Sequence, residues 1–138
     1  MEKSGYRIGV VGVGRMGSNI ARRLNDEGFQ VVILYDTVTD RAEALAKEIG
    51  AETTDQLGRV SRTADYIITV VTDDSAMRQI FSEHAYDSLL QEAEGNLFVN
   101  CATVSPQVHV EVEQLLEAHG AQSLEGCMAS SITQAREG

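Results

Sequence analysis

The stretch R-I-G-V-V-G-V-G-R-M-G, Arg7 to Gly17, decides how the rest of the chain is read. Ile8 to Val11 is short, apolar and largely β-branched, as a buried strand would be. G-x-G-x-x-G comes next at Gly12, Gly14 and Gly17. Helical spacing begins at once, with Met16, Ile20, Ala21 and Leu24 on one face. Strand, glycine turn and helix in that order lift the glycine pattern above a chance match.

Each glycine answers a separate need. Gly12 permits a sharp exit from the strand. Gly14 carries no Cβ, so a pyrophosphate can approach the backbone. Gly17 lets the helix pack close to the strand. The helix then opens with free N–H groups, and its dipole favours negative charge there. A glycine-rich turn that binds nothing is the competing reading, and the next strand tests it. Gln30 to Tyr35 is apolar and β-rich, and it ends at Asp36. That carboxylate falls about 20 residues past the glycines, where a dinucleotide site holds the adenosine ribose. The joint pattern predicts a bound adenine dinucleotide.

Outward from this unit, strands and helices alternate. A helix is expected over 40–49, with Ala42, Leu45, Ala46 and Ile49 as its apolar stripe, Thr39 or Asp40 as cap and Gly50 as stop. A short strand over 51–53, a brief helix over 55–61 and a strand over 66–71 come after it. Thr72, Asp73 and Asp74 make a polar turn before a helix marked by Met77, Ile80 and Phe81. Residues 84–94 read as little more than a helical turn around Leu89 and Leu90. Leu97 to Val99 is a strand ending at Asn100. Ser105 and Pro106 announce a helix running to about His119, and 122–124 is a last strand. The expected fold is a single α/β domain over 1–138, a Rossmann-type doubly wound parallel sheet in three αβα layers. Ligands of such sheets sit beyond the C-terminal strand ends. Four segments meet there: 12–17, 36–37, 71–74 and 100–105.

Composition narrows the partners. The chain has 138 residues, 43% of them apolar, and a formal net charge of −10. That charge opposes nucleic acid, whose phosphates would meet net repulsion, yet backbone amides can still bind a phosphate locally. No apolar run approaches a membrane span, residues 1–6 lack a signal-peptide core, and Cys101 and Cys127 make no disulfide framework. A cytoplasmic location is the default expectation. His84, His109 and His119 are scattered and read as surface residues, and no metal site is expected. Cys101 and Cys127 read as small buried hydrophobes, Asp73 and Asp74 as a capping turn, and Glu111, Glu113 and Glu117 as a solvated helix face. Tyr35 and Tyr66 fit buried strand positions.

Three motifs together resemble the β-hydroxyacid dehydrogenases, the family of 3-hydroxyisobutyrate and 6-phosphogluconate dehydrogenases. G-V-V-G-V-G-R-M-G, Gly9 to Gly17, is similar to the family's G-x-x-G-x-G-x-M-G. N-C-A-T-V-S-P, Asn100 to Pro106, is similar to D-x-S-T-V-S-P. E-G-C-M-A-S-S-I-T-Q-A-R-E-G, Glu125 to Gly138, is similar in register to D-A-P-V-S-G-G-x-x-G-A-x-x-G. The resemblance implies that Gly12, Val13, Gly14, Arg15, Met16 and Gly17 hold the pyrophosphate and that Asp36 and Thr37 hold the ribose. It implies that Val71 and Thr72 line the cofactor, that Thr103 lies near the nicotinamide, and that Ala129, Ser130 and Ser131 stand where the family grips its substrate. Those three replace Ser-Gly-Gly, and Asn100 and Ala102 replace an aspartate and a serine, which predicts a substrate other than a simple 3-hydroxy acid. The family's catalytic lysine lies further along. Lys3 and Lys47 do not match it, so no catalytic residue is expected in this chain. The resemblance implies a cofactor domain that ends before an all-helical C-terminal domain, through which whole family members pair as homo-oligomers. The partners implied are a dinucleotide and a small hydroxy acid. Two alternatives stand beside this: a non-catalytic nucleotide-binding sensor or scaffold, and a reductase of imines on the same fold.

Asp36 would repel a 2′-phosphate, which favours NAD. Thr37, Val38 and Thr39 come next, where NADP-using relatives place an arginine. NADP is the alternative, because Arg41 or Arg15 can swing toward a phosphate.

Overall fold

The computed structural model describes residues 5–126 and 132–137. Its strands are β1 (Arg7–Val11), β2 (Gln30–Tyr35), β3 (Glu52–Thr53), β4 (Tyr66–Thr69), β5 (Leu97–Asn100) and β6 (Gln122–Glu125). The helices are α1 (Arg15–Asp26), α2 (Thr39–Ile49), α3 (Leu57–Thr63), α4 (Asp74–Ile80), α5 (Pro106–Ala118) and α6 (Ile132–Glu137). The strands form one parallel sheet in the order β3-β2-β1-β4-β5-β6. This is the doubly wound sheet that the alternation predicts.

Side chains alternate across the sheet, so each strand feeds two cores. Val11, Ile33, Ile67 and Phe98 join Val60, Met77, Phe81 and Leu116 on the α3–α4–α5 face. Ile8, Val10, Val31 and Leu34 join Ala21, Ala42 and Leu45 on the α1–α2 face. Val31 and Leu34 share a face although three residues apart, because the β1–β2 register slips between Ile8 and Gly9. Phe81 and Phe98, both fully buried, meet edge to face at 5.5 Å. Burying a side chain of that size is worth about 1.5–3 kcal/mol.

The strand order reverses between β1 and β4, since α1 carries the chain to one side and α3 to the other. Their C-terminal ends therefore part and leave a crevice. Several elements differ from expectation. β4 stops at Thr69, two residues early; Val70 N–H still donates to Val11 O at 2.8 Å, and the Val70 carbonyl lies against Gly12. α3 lies two residues later than expected. The N-cap of α2 is Val38, not Thr39 or Asp40. Residues 84–94 hold no helix, yet Leu89, Leu90 and Ala93 are buried. Glu125 extends β6, and α6 packs on α1, with Arg136 Nη1 2.6 Å from Asp26 Oδ2. Among the described residues no helix is long and apolar enough to cross a membrane.

Candidate functional site

β1 delivers the chain to the crevice at Val11, and the glycines shape the turn beyond it. Gly12 adopts φ +93°, and its N–H donates to Tyr35 O at 2.8 Å. A Cβ at Gly12 would run into the Val70 carbonyl oxygen, and one at Gly17 into the Gly12 carbonyl oxygen. Both glycines therefore let backbone meet backbone. Gly14 differs. It is the N-cap of α1 at φ −67°, an ordinary conformation, and the nearest atom to a Cβ there is Arg41 Nη1 at 3.5 Å. No side chain caps α1, and its first turn holds no acid. The first-turn amides thus keep their donors for an outside acceptor.

Asp36 closes one side of this loop. Its Oδ2 accepts from Val13 N–H at 2.8 Å and its Oδ1 from Val38 N–H at 2.8 Å. Its side chain is only 8% exposed, with Arg41 Nη1 3.9 Å from Oδ2. A carboxylate offers about four acceptor positions, so two remain for ribose hydroxyls. Asp36 is thus a strut for the glycine loop as well as a candidate ribose acceptor.

Two hollows flank Gly14. The larger, about 360 Å³, is lined by Gly12, Gly14, Asp36, Thr37 and Arg41 and also by Tyr35, Val71, Leu57, Gln79, Ile80, Ala85 and Asp87. The smaller, about 270 Å³, is lined by Gly14, Arg15, Met16, Gly17, Val70, Val71, Thr72 and Thr103. The structure so brings together ten of the eleven expected cofactor residues. Val13 stands apart: its side chain is 1% exposed in the core, and its N–H belongs to Asp36. Ala129, Ser130 and Ser131 lie outside the described residues, as does Cys127.

The far rim is braced by two contacts. Asp73 caps α4, its Oδ1 accepting from Ala76 N–H at 2.8 Å. Asp74 Oδ1 accepts from Ser105 N–H at 2.8 Å and so ties the β4 exit to the β5 exit. That backbone bond, then the Ser105 side chain, hold the Asp74 carboxyl below the usual carboxylate range. Beneath them Thr69 Oγ1 donates to Asn100 Oδ1 at 2.7 Å, both residues buried. Ala102 is 6% exposed and packs in the core. Asn100 and Ala102 therefore belong to the interior. There Asn100 ties the end of β5 to the end of β4.

Tyr35 is half-buried and faces the larger hollow rather than the core alone. Burial pushes its phenol up, as do the carboxylates of Asp87, Asp36 and Asp55, so it stays protonated. Burial likewise pushes the Cys101 thiol up, the opposite of what a reactive cysteine needs. His84 is exposed, but the His109 side chain is only 10% exposed, with Nε2 3.5 Å from Glu125 Oε1. His109 is therefore no surface residue. Glu111 is drawn into a two-bond pair with Arg78 at 3.1 and 3.3 Å. No cluster of metal ligands occurs among the described residues. Sequence reasoning missed Ala85 and Asp87 as cavity walls, because 84–94 has no periodicity to read.

The model of the NAD binding domain of 6-phosphogluconate dehydrogenase matches residues 7–138. Mouse mitochondrial 3-hydroxyisobutyrate dehydrogenase is 28% identical over 131 residues, 95% of this chain and 38% of its own length. A Mycobacterium tuberculosis 3-hydroxyisobutyrate dehydrogenase, solved with L-serine, superposes with a TM-score of 0.84 at 23% identity, over 96% of this chain and 43% of that one. A variant imine reductase from Myxococcus stipitatus, solved with NAD+, superposes with a TM-score of 0.82 at 26% identity, over 93% of this chain and 42% of that one. The chain thus spans well under half the length of these relatives.

Proposed function

The chain belongs to the family of the NAD binding domain of 6-phosphogluconate dehydrogenase, and from that membership we propose that it is the cofactor-binding part of a longer NAD(P)-dependent oxidoreductase acting on the CH–OH group of a small 3-hydroxy acid. One observation carries the proposal: an uncapped helix N-terminus opens at a glycine whose missing side chain leaves the cleft clear, beside a buried carboxylate.

The residues fit the group. The α1 amides at Arg15 and Met16 would hold the pyrophosphate, and Gly14 would let it close on the backbone. Asp36 and Thr37 would take the ribose hydroxyls. Thr103, exposed at the β5 exit, would border the nicotinamide with Val71 and Thr72. When bound, the nicotinamide supplies the hydride acceptor. Ala129, Ser130 and Ser131 would meet the substrate. The groups that move its proton would lie outside these 138 residues, so the chain alone would bind dinucleotide and turn over nothing. The carboxylate of Asp36 opposes a 2′-phosphate and favours NAD, with Arg41 as the cation through which NADP could enter. Cytoplasmic location and a homo-oligomer at full length complete the proposal; fractionation of the tagged whole protein checks the first and size-exclusion chromatography the second.

A second reading is supported by the likeness to the Myxococcus stipitatus imine reductase, 26% identical with a TM-score of 0.82: reduction of an imine rather than oxidation of a hydroxy acid. Calorimetric titration with NADH tests the binding proposal, and absence of heat at millimolar ligand would overturn it. Turnover of the whole protein on small hydroxy acids against cyclic imines separates the two chemistries.

A further inference from the structure

The larger hollow holds more than the glycine loop and Asp36. Leu57, Ile80 and Ala85 give it apolar wall, as suits the two faces of a flat ring. Gln79 and a second carboxylate, Asp87, line the same hollow. Asp87 Oδ2 accepts from Leu57 N–H at 2.6 Å and Oδ1 from Gly58 N–H at 2.9 Å, at the start of α3. The two bonds fix the group in place, and each oxygen keeps an acceptor position of its own. Tyr35 borders the same space and stays protonated, so it adds no charge.

We propose that Asp87 reads the amino edge of the adenine, selecting a purine that carries an N–H2 donor at C6 against one that carries an oxygen there. Adenine presents that donor; hypoxanthine and guanine present a carbonyl acceptor at the same atom. A C6 oxygen facing a carboxylate fixed at that position finds no proton between them; the donor of the 6-oxo purines lies at N1 instead, so a site built for a donor at C6 disfavours them. The inference rests on the hollow being the adenosine end of a dinucleotide cleft. The plainer alternative is that Asp87 only caps α3, and then the two purines bind alike.

The test uses the wild-type chain, so folding of a variant does not enter. Fluorescence titration with NADH and with reduced nicotinamide hypoxanthine dinucleotide gives the ratio of affinities. The expected ratio is about tenfold in favour of NADH. A ratio below about fivefold overturns the role of Asp87 while leaving dinucleotide binding standing, and a ratio at or above it supports the role. If neither ligand binds, the cofactor reading itself fails and takes this inference with it. D87N, which keeps one acceptor and gains an amide donor, should bring the ratio close to one in a chain whose melting profile is retained. A folded D87N with the wild-type ratio would also overturn the proposal. If D87N melts early, the wild-type ratio decides alone.

Discussion

Replacing Gly14 with leucine should remove dinucleotide binding and leave the fold intact. A Cβ at this position has one neighbour, the far end of the Arg41 side chain at 3.5 Å, and the backbone is in an ordinary region at φ −67°. The stability cost is then that of an unfavourable N-cap, about 1 kcal/mol. The branched side chain would fill the gap between the two hollows, over the α1 amides that would hold the pyrophosphate. A loss of at least about a hundredfold in affinity, about 2.7 kcal/mol, is expected. The same change at Gly12 supplies the contrast. There φ +93° costs about 1–2 kcal/mol, and the collision with the Val70 carbonyl adds about 1–3 more. The melting temperature should fall by about 10 °C or more. Thermal melts without ligand and NADH fluorescence titrations measure the two effects separately. Wild-type affinity in a folded G14L would refute the assignment of the cleft, and an early melt would refute the claim that Gly14 serves the ligand alone.

Three further outcomes are expected. D36A removes the acceptor of two backbone amides, one of them the Val13 N–H at 2.8 Å, and should cost about 2 kcal/mol in urea melts and weaken NADH at least about tenfold. Arg7, through its side-chain bond, holds Asp65 below the ordinary carboxylate range, as Ser105 does Asp74 and Arg78 does Glu111. Each folded value lies below the unfolded one, so this stabilisation is complete above about pH 4–5 and is lost as pH falls through the depressed values. The melting temperature should be level near neutrality and drop in acid, and D65N should shrink that drop; an unchanged acid limb would sink the reasoning. Because burial pushes the Cys101 thiol up, peptide mass spectrometry should find it slow to react with iodoacetamide at about pH 7.5 until the chain is unfolded.

The order of elements was readable because periodicity switches sharply between strand and helix. Ile8 to Val11 and Met16 to Leu24 could hardly be anything else, and the parallel sheet is implied by their alternation. The glycine loop and Asp36 were readable because spacing along one chain fixes them. What escaped notice depends on contacts between distant segments. Asp87 acts through amides 29 and 30 residues away, in a stretch held by Leu89 N–H on Ile80 O rather than by any repeat. His109 looks like a surface residue until β6 places Glu125 beside it. Asn100 and Ala102 stand inside a loop motif but face the interior, which a motif cannot disclose. The cap of α2 differs because the helix already starts at Thr39, which leaves Val38, a residue with no polar side chain, in the capping position.

That double bond of Asp36 has a practical consequence for redesign. Anyone retuning the protein to accept a phosphorylated adenosine would reach first for this carboxylate, yet removing it would also unlatch the loop proposed to receive the diphosphate. The safer levers are Thr37 and Arg41, which border the same space while neither carries the turn. If Asp36 takes the ribose as proposed, coenzyme preference and loop integrity share one side chain, so selectivity has to be altered around that residue rather than at it.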